Sequence, residues 1–262
     1  MKPLTILKIG GSIITHKDSK KPKIHETNLK RISKEIASIH DRDYQLIIVH
    51  GAGSYGHPIV KKTGIDKGIQ NEEQRVAFAE TQRLQNELNL FVTKYLIKEG
   101  LPAIPCQISS FVVLDSGRIN EFDTSAIEGL LEINMIPVLY GVPAYDRNQG
   151  CSILSGDQIV SYLALKLRAN RIIHGTDVDG IFTENPKLSS SARLIHEISS
   201  KNLEEVMKKI SGSTNTDVTG GMFGKLSELL EVGIESQIIN ALVPGNITKA
   251  LRGENIGTMI RF

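Results

Sequence analysis

Cysteine is scarce in this chain: Cys106 and Cys151 are the two present among 262 residues. Two thiols are too few for a disulfide framework, and their separation matches no metal-clip spacing. They read as reduced thiols, and the expected location is the cytoplasm. Neither sign of charge is in excess: 31 lysines and arginines stand against 29 aspartates and glutamates, a formal net charge of +2. That balance gives no global pull toward nucleic acid or an anionic membrane, so neither is an expected partner. Anion chemistry must then come from local placement. The opening apolar stretch, Thr5-Ile-Leu-Lys-Ile9, is short and broken by Lys8, which argues against a signal peptide or a membrane span. No H-E-x-x-H occurs, and His16, His25, His40, His174 and His196 show no metal-ligand spacing. His50 reads as packing or hydrogen bonding at a strand end.

What is present is ordinary globular material, 40% hydrophobic and 23% charged. The length suffices for a large α/β domain with a sizeable core. Strands are predicted at Leu4–Ile9, Gln45–Val49, Leu101–Ile104, Met135–Leu139, Arg171–His174 and Ser236–Asn240. Helical patterns fall at about 27–39, 72–98, 124–133, 157–168, 200–209 and 222–232. Strands alternating with helices predict a mostly parallel sheet covered on both faces. Pieces around Ile119–Glu121 and Val142–Ile153 read as hairpins. The expected organisation is a single domain over residues 1–262, its N-terminal lobe (about 1–150) and C-terminal lobe (about 151–262) sharing one sheet. Ligands bind such sheets beyond the carboxyl ends of strands, so the turns that follow strands are the informative ones.

The first strand runs into Lys8-Ile-Gly-Gly-Ser12, where two glycines let backbone N–H groups approach an anion and Lys8 brings positive charge. A structural turn accounts for such a pair equally well. The second strand ends in His50-Gly-Ala-Gly-Ser-Tyr-Gly-His57, a formal G-x-G-x-x-G. A dinucleotide site needs a helix and then a strand with an acidic end roughly 20 residues on. No strand stands there, so the loop is an anion cradle of another kind. Gly220-Gly-Met-Phe-Gly-Lys225 is one residue short of a P-loop and has Leu226 where Ser or Thr should bind magnesium. Lys225 instead falls in the first turn of a helix, where it either meets an anion or is solvated. Ser155-Gly-Asp-Gln158 has capping-box spacing, which by itself makes Asp157 a first-turn acid. Thr176-Asp-Val-Asp-Gly180 follows a strand and offers paired aspartates to ribose, metal or lysine, or to a turn.

In this order the motifs resemble the amino acid kinase superfamily over nearly the whole chain. The loop continuing to Gly56-His57-Pro58, a second lysine at Lys17, Gln107-Ile-Ser-Ser-Phe-Val-Val113 and Phe122-Asp-Thr-Ser-Ala126 resemble its isopentenyl phosphate kinase branch most. Ala52, where many members have a third glycine, is a departure. The resemblance implies a three-layer αβα sandwich around a mainly parallel sheet, a homodimer, and transfer of phosphate from ATP with Mg2+ to isopentenyl phosphate. A fosfomycin kinase, or a nucleotide-binding protein without catalysis on the same fold, are the alternatives.

The same resemblance implies residue roles. Lys8 and Lys225 would neutralise the ATP phosphates, and Lys17 the transferring group, with backbone N–H of Gly10, Gly11 and Gly53 around it. Ser12 and Gly221 would lie at the nucleotide phosphates, and Asp177, Asp179 and Phe182 at the nucleoside. Asp157 would hold the lysines by ion pairing. His57 would hydrogen-bond the acceptor phosphate, with Ala52, Gly56 and Gly156 beside it. The apolar tail needs a pocket, for which the helix at 72–98 offers Val76, Phe78, Ala79, Leu84 and Leu88, with Phe78 the expected wall.

Overall fold

The computed structural model describes residues 2–261 except 17, 18, 20, 41, 42, 185, 187, 188 and 212–220. Strands β1 (Leu4–Ile9), β2 (Gln45–His50), β3 (Ala103–Pro105), β4 (Ile136–Tyr140), β5 (Arg171–Thr176), β6 (Glu197–Ile198), β7 (Ser236–Asn240) and β8 (Thr258–Ile260) make one sheet. Their order is β6-β8-β7-β5-β1-β2-β4-β3. Neighbours run parallel except β7 and β8, which are antiparallel. The six long apolar runs read from sequence are all strands, shifted by no more than two residues at either end. The two short strands β6 and β8 were not anticipated, because two or three residues carry no readable alternation.

Helices cover both faces. On one side lie α1 (Gly11–Ile14), α2 (Glu26–Ala37), α4 (Glu72–Lys98) and α9 (Asn246–Leu251), packed on Leu7, Ile9, Leu46, Ile48 and Ile173. On the other lie α5 (Ser125–Glu132), α6 (Gly156–Lys166), α7 (Leu203–Ser211) and α8 (Gly221–Val232), packed on Ile6, Ile47, Val49 and Ile172. This is the three-layer sandwich with a mainly parallel sheet. The short α3 (His57–Thr63) follows the loop after β2. The next sheet strand comes only after α4, so the dinucleotide pattern is absent, as its spacing predicts.

Both sides of the central strands are buried, so period-two alternation decides which helix layer each side chain meets. Leu4 and Ile6 of β1 enter the cluster containing α6 and α8, whereas Leu7 and Ile9 enter the opposite one. Lys8 continues the even series and points toward α6 and α8. On β5 the same rule sends Ile172 and His174 that way, and the parallel register sets His174 directly beside Lys8.

Two hairpins close the α5/α6 side: Val112–Asp115 with Arg118–Phe122, and Val142–Ala144 with Ser152–Leu154. Buried Asp146 ties them together. Its carboxylate accepts from the backbone N–H of Gly117 at 2.7 Å and Asn148 at 2.9 Å, and from Ser152 Oγ at 2.7 Å. Longer contacts come from the N–H of Ser116 and Gln149 at 3.3 and 3.2 Å. Burial alone would raise this carboxyl, but the converging donors hold it down at about 2. Asp146→Ala leaves those donors unmatched, and should lower the unfolding free energy by about 3 kcal/mol. A urea melt measures this; a midpoint unchanged from the parent would show that the donors find other partners.

Candidate active site

The sheet opens where the loops after β1 and β2 meet. Those loops touch backbone to backbone. A Cβ added to Gly11 would lie 2.3 Å from Gly53 N, and one on Gly51 2.6 Å from Gly11 N. Gly53 itself has φ +51° and leaves no room beside Thr15 Oγ1, 2.1 Å from its would-be Cβ. Thr15 pins the pair, donating from Oγ1 to Gly11 O at 2.8 Å and accepting from Ser54 N–H at 3.0 Å. The glycines are therefore a close-approach requirement and not a loose turn.

Beside them sits a buried charge cluster. Ser155 caps α6, accepting from Gln158 N–H at 3.1 Å, so Asp157 occupies the first turn. The reciprocal half of a capping box is not made. Gln158 instead accepts from Ile119 N–H at 2.9 Å and donates to Gly117 O at 3.0 Å, bracing the first hairpin. Asp157 Oδ1 receives Lys8 Nζ at 2.6 Å and Lys225 Nζ at 2.7 Å, and His174 Nδ1 lies 3.2 Å away. Burial would raise the Asp157 carboxyl, but Lys225, Lys8 and His174 hold it well below the usual carboxylate range. Burial pushes the Lys8 ammonium down to about 8, with Lys225 acting the same way and Asp157 opposing. Burial, followed by Lys225, lowers His174 to about 4, so it is neutral at pH 7. Two lysines against one carboxylate leave one unit of positive charge at the carboxyl ends of the central strands, which suits an anion.

The cluster faces a cavity of about 680 Å3. Gly10, Gly11, Ser12, Ala52 and Gly53 line it from the glycine loops, with Gly56 and His57 beside them. Gly156 and Asp157 enter from α6, Lys8 from β1 and Lys225 from α8. Asp177 and Phe182 line its far end, after β5. Asp179 is not among the lining residues; it is exposed and accepts from Asn240 Nδ2 at 2.8 Å. Gly221 is the first residue of α8 and its neighbour Met222 reaches the cavity. Lys17 lies outside the described residues, as do Thr219 and Gly220.

Phe78 does not line the cavity. It packs behind the wall with Val60 and Ile153, which do. The other apolar candidates on α4 are also elsewhere: Val76 is 62% exposed, and Leu84 and Leu88 belong to the core. The residues that α4 presents to the cavity are polar, Thr81 and Gln85. Neither belongs to the apolar stripe of α4 that marks a tail pocket in the sequence, and His174 has no metal-ligand spacing to single it out. The sequence offered for His174 only its parity with Ile172; that its strand lies beside β1 is decided by the sheet order. His50 is buried at the end of β2, 3.1 Å from both Gly51 O and Asn89 Nδ2, and is held down at about 4 by burial.

Residues 3–243 match the model of the amino acid kinase family. The isopentenyl phosphate kinase of Methanothermobacter thermautotrophicus is 47% identical over 98% of each chain. That of Methanocaldococcus jannaschii is 39% identical over 99% of each. An X-ray structure of isopentenyl phosphate kinase superposes with a TM-score of 0.86 at 42% identity, covering 98% of this chain and 99% of its own. End-to-end similarity of that degree, on a fold and a lysine–carboxylate cluster of this kind, means that the chain belongs to the amino acid kinase family, on its isopentenyl phosphate kinase branch.

Proposed function

We propose that the chain transfers the γ-phosphoryl group of ATP to isopentenyl phosphate, giving isopentenyl diphosphate and ADP, in isoprenoid biosynthesis by a mevalonate-type route. The observation that carries this reading is the pair Lys8 and Lys225 on one buried carboxylate, against a glycine-walled cavity. A phosphomonoester has its second pKa near ~6, so the acceptor is already an oxyanion at neutral pH. No general base is needed; the barrier is repulsion between two phosphate groups, which charge and positioning must overcome.

In this reading Lys8 and Lys225 neutralise the nucleotide phosphates, held in position by Asp157. Backbone N–H of Gly11 and Gly53 surrounds the transferring group, with Ser12 and Gly221 at the nucleotide phosphates; the N–H of Gly10, expected beside them, instead donates to Gly175 O at 2.9 Å and shapes the loop. Lys17, outside the described residues, stabilises the group in flight. Ala52, Gly56, His57 and Gly156 hold the acceptor phosphate. Asp177 and Phe182 take the nucleoside, Asp179 shaping that edge through Asn240. Phe78 acts on the tail pocket from behind, through Val60 and Ile153. Among the described residues no group of three His, Cys, Asp or Glu is placed to hold a metal ion. In this reading Mg2+ would come bound to ATP and would shield the phosphate charge. A single domain, a cytoplasmic location and a homodimer complete the reading. Leu90 and Ile97, both more than half exposed and seven residues apart on α4, offer apolar surface for the dimer.

ADP release with ATP, Mg2+ and a panel of acceptors tests the activity. The panel holds isopentenyl phosphate, dimethylallyl phosphate, fosfomycin, UMP, N-acetylglutamate and glutamate. Isopentenyl phosphate should give the highest kcat/KM; a preference for another acceptor discards the substrate, and no turnover discards the activity. His57→Ala should raise KM for isopentenyl phosphate roughly tenfold, as loss of a charge-assisted hydrogen bond requires, with KM for ATP unchanged. An unaltered acceptor KM would remove His57 from the acceptor site. Asp157→Asn should lower kcat by about 100-fold with ATP affinity retained, because the lysines keep their charge but lose their orientation. A rise in KM for ATP at unchanged kcat would contradict that positioning role.

A further inference from the structure

Helix α4 turns a polar stripe inward at helical spacing, Gln82, Gln85, Asn86 and Asn89, and the stripe is matched at every position but one. Gln82 donates to Pro143 O at 2.5 Å and accepts from Ser109 Oγ at 2.9 Å. Asn86 accepts from the Tyr140 hydroxyl. Asn89 donates to Val138 O at 3.1 Å and lies against His50. Gln85 is 0% exposed, yet neither its Nε2 nor its Oε1 has a hydrogen-bond partner among the described residues. A buried amide left unmatched at both ends is among the more expensive features a fold can keep.

Gln85 borders the cavity. A Cβ added to Gly56 would meet its Nε2 at 2.5 Å, so the amide lies against the loop that leads to His57. Val60, Val142, Ile153 and Leu154 line the same cavity and are apolar. Thr81, one turn earlier on α4, already donates to Ala77 O at 2.7 Å and is not short of a partner. Of the two polar side chains that α4 brings to the part of the site left for the acceptor's tail, the Gln85 amide is thus the one without a partner among the described residues.

The chemistry of the amide selects its complement. A phosphate oxygen only accepts, and would leave Oε1 unmatched; a hydroxyl both donates and accepts, and satisfies both ends. We propose that Gln85 is a specificity-determining residue that reads a hydroxyl on the acceptor's tail, so that the site takes hydroxylated short-chain alkyl phosphates beside the plain prenyl one. This rests on the phosphate-acceptor reading above. A site built to hydrogen-bond a substrate hydroxyl discriminates far more sharply than one that only adds or removes a methylene.

The test is ADP release by the full chain with a matched pair, 4-hydroxybutyl phosphate and n-pentyl phosphate, which differ by a hydroxyl in place of a methyl. Isopentenyl phosphate serves as the reference acceptor. Gln85→Leu and Gln85→Met keep the side-chain volume and remove the hydrogen bonds. Both should lower the ratio of kcat/KM for hydroxybutyl over pentyl phosphate by roughly tenfold or more. Turnover of isopentenyl phosphate with that ratio unchanged in both variants overturns the inference and leaves the proposed activity standing, as when water fills the place of the hydroxyl. No turnover of any of the three acceptors overturns the activity, and the inference with it.

Discussion

A carboxylate buried between a sheet and two helices is tolerable only when its charge is answered at hydrogen-bond distance. Asp157 is such a group, and the site depends on how it is answered. Lys8 reaches it from β1 and Lys225 from α8, while His174 approaches from β5 without charge. The four residues come from four elements and from both halves of the chain. Their contact fixes the start of α6 and the second turn of α8 against the sheet's central strands. Because one carboxylate answers two ammoniums, the cluster satisfies itself only in part. The remaining charge is available to a ligand, which lets a chain of net charge +2 bind a polyanion without a basic surface.

Around that cluster the cavity is divided by chemistry. Backbone supplies one wall, since Gly11, Gly51 and Gly53 pack too closely for any side chain; Gly51 N–H is spent on Ile9 O at 3.0 Å. The second hairpin supplies an apolar wall, and Asp146 anchors it to the first hairpin at a distance from the reacting groups. The side of the cavity formed by α4 is polar, since that helix contributes Thr81 and Gln85 where hydrophobic side chains were expected. Phe78, which looked like a wall, is one layer behind it.

The sequence was informative where the physics is local. Short apolar runs gave the long strands, and the glycines after β1 and β2 marked where those two loops meet, because close backbone approach forbids a Cβ. The short strands β6 and β8 were not legible, unlike the equally short β3, which closes the apolar run Leu101–Ile104. Ser155 as a cap was legible from its neighbours; the fate of Gln158 was not, because its partners at Gly117 and Ile119 lie some forty residues away.

By itself, then, the sequence determined the sheet-and-helix alternation, the two glycine loops and the presence of Lys8, Asp157 and Lys225 at element ends. The tertiary structure alone decided that these three share one oxygen, that His174 stands beside them, and that the Gln85 amide has no hydrogen-bond partner among the described residues. Coulomb attraction and hydrogen bonding act over a few ångströms of space and are indifferent to separation along the chain. Which distant groups come within that reach is settled by strand register and helix packing.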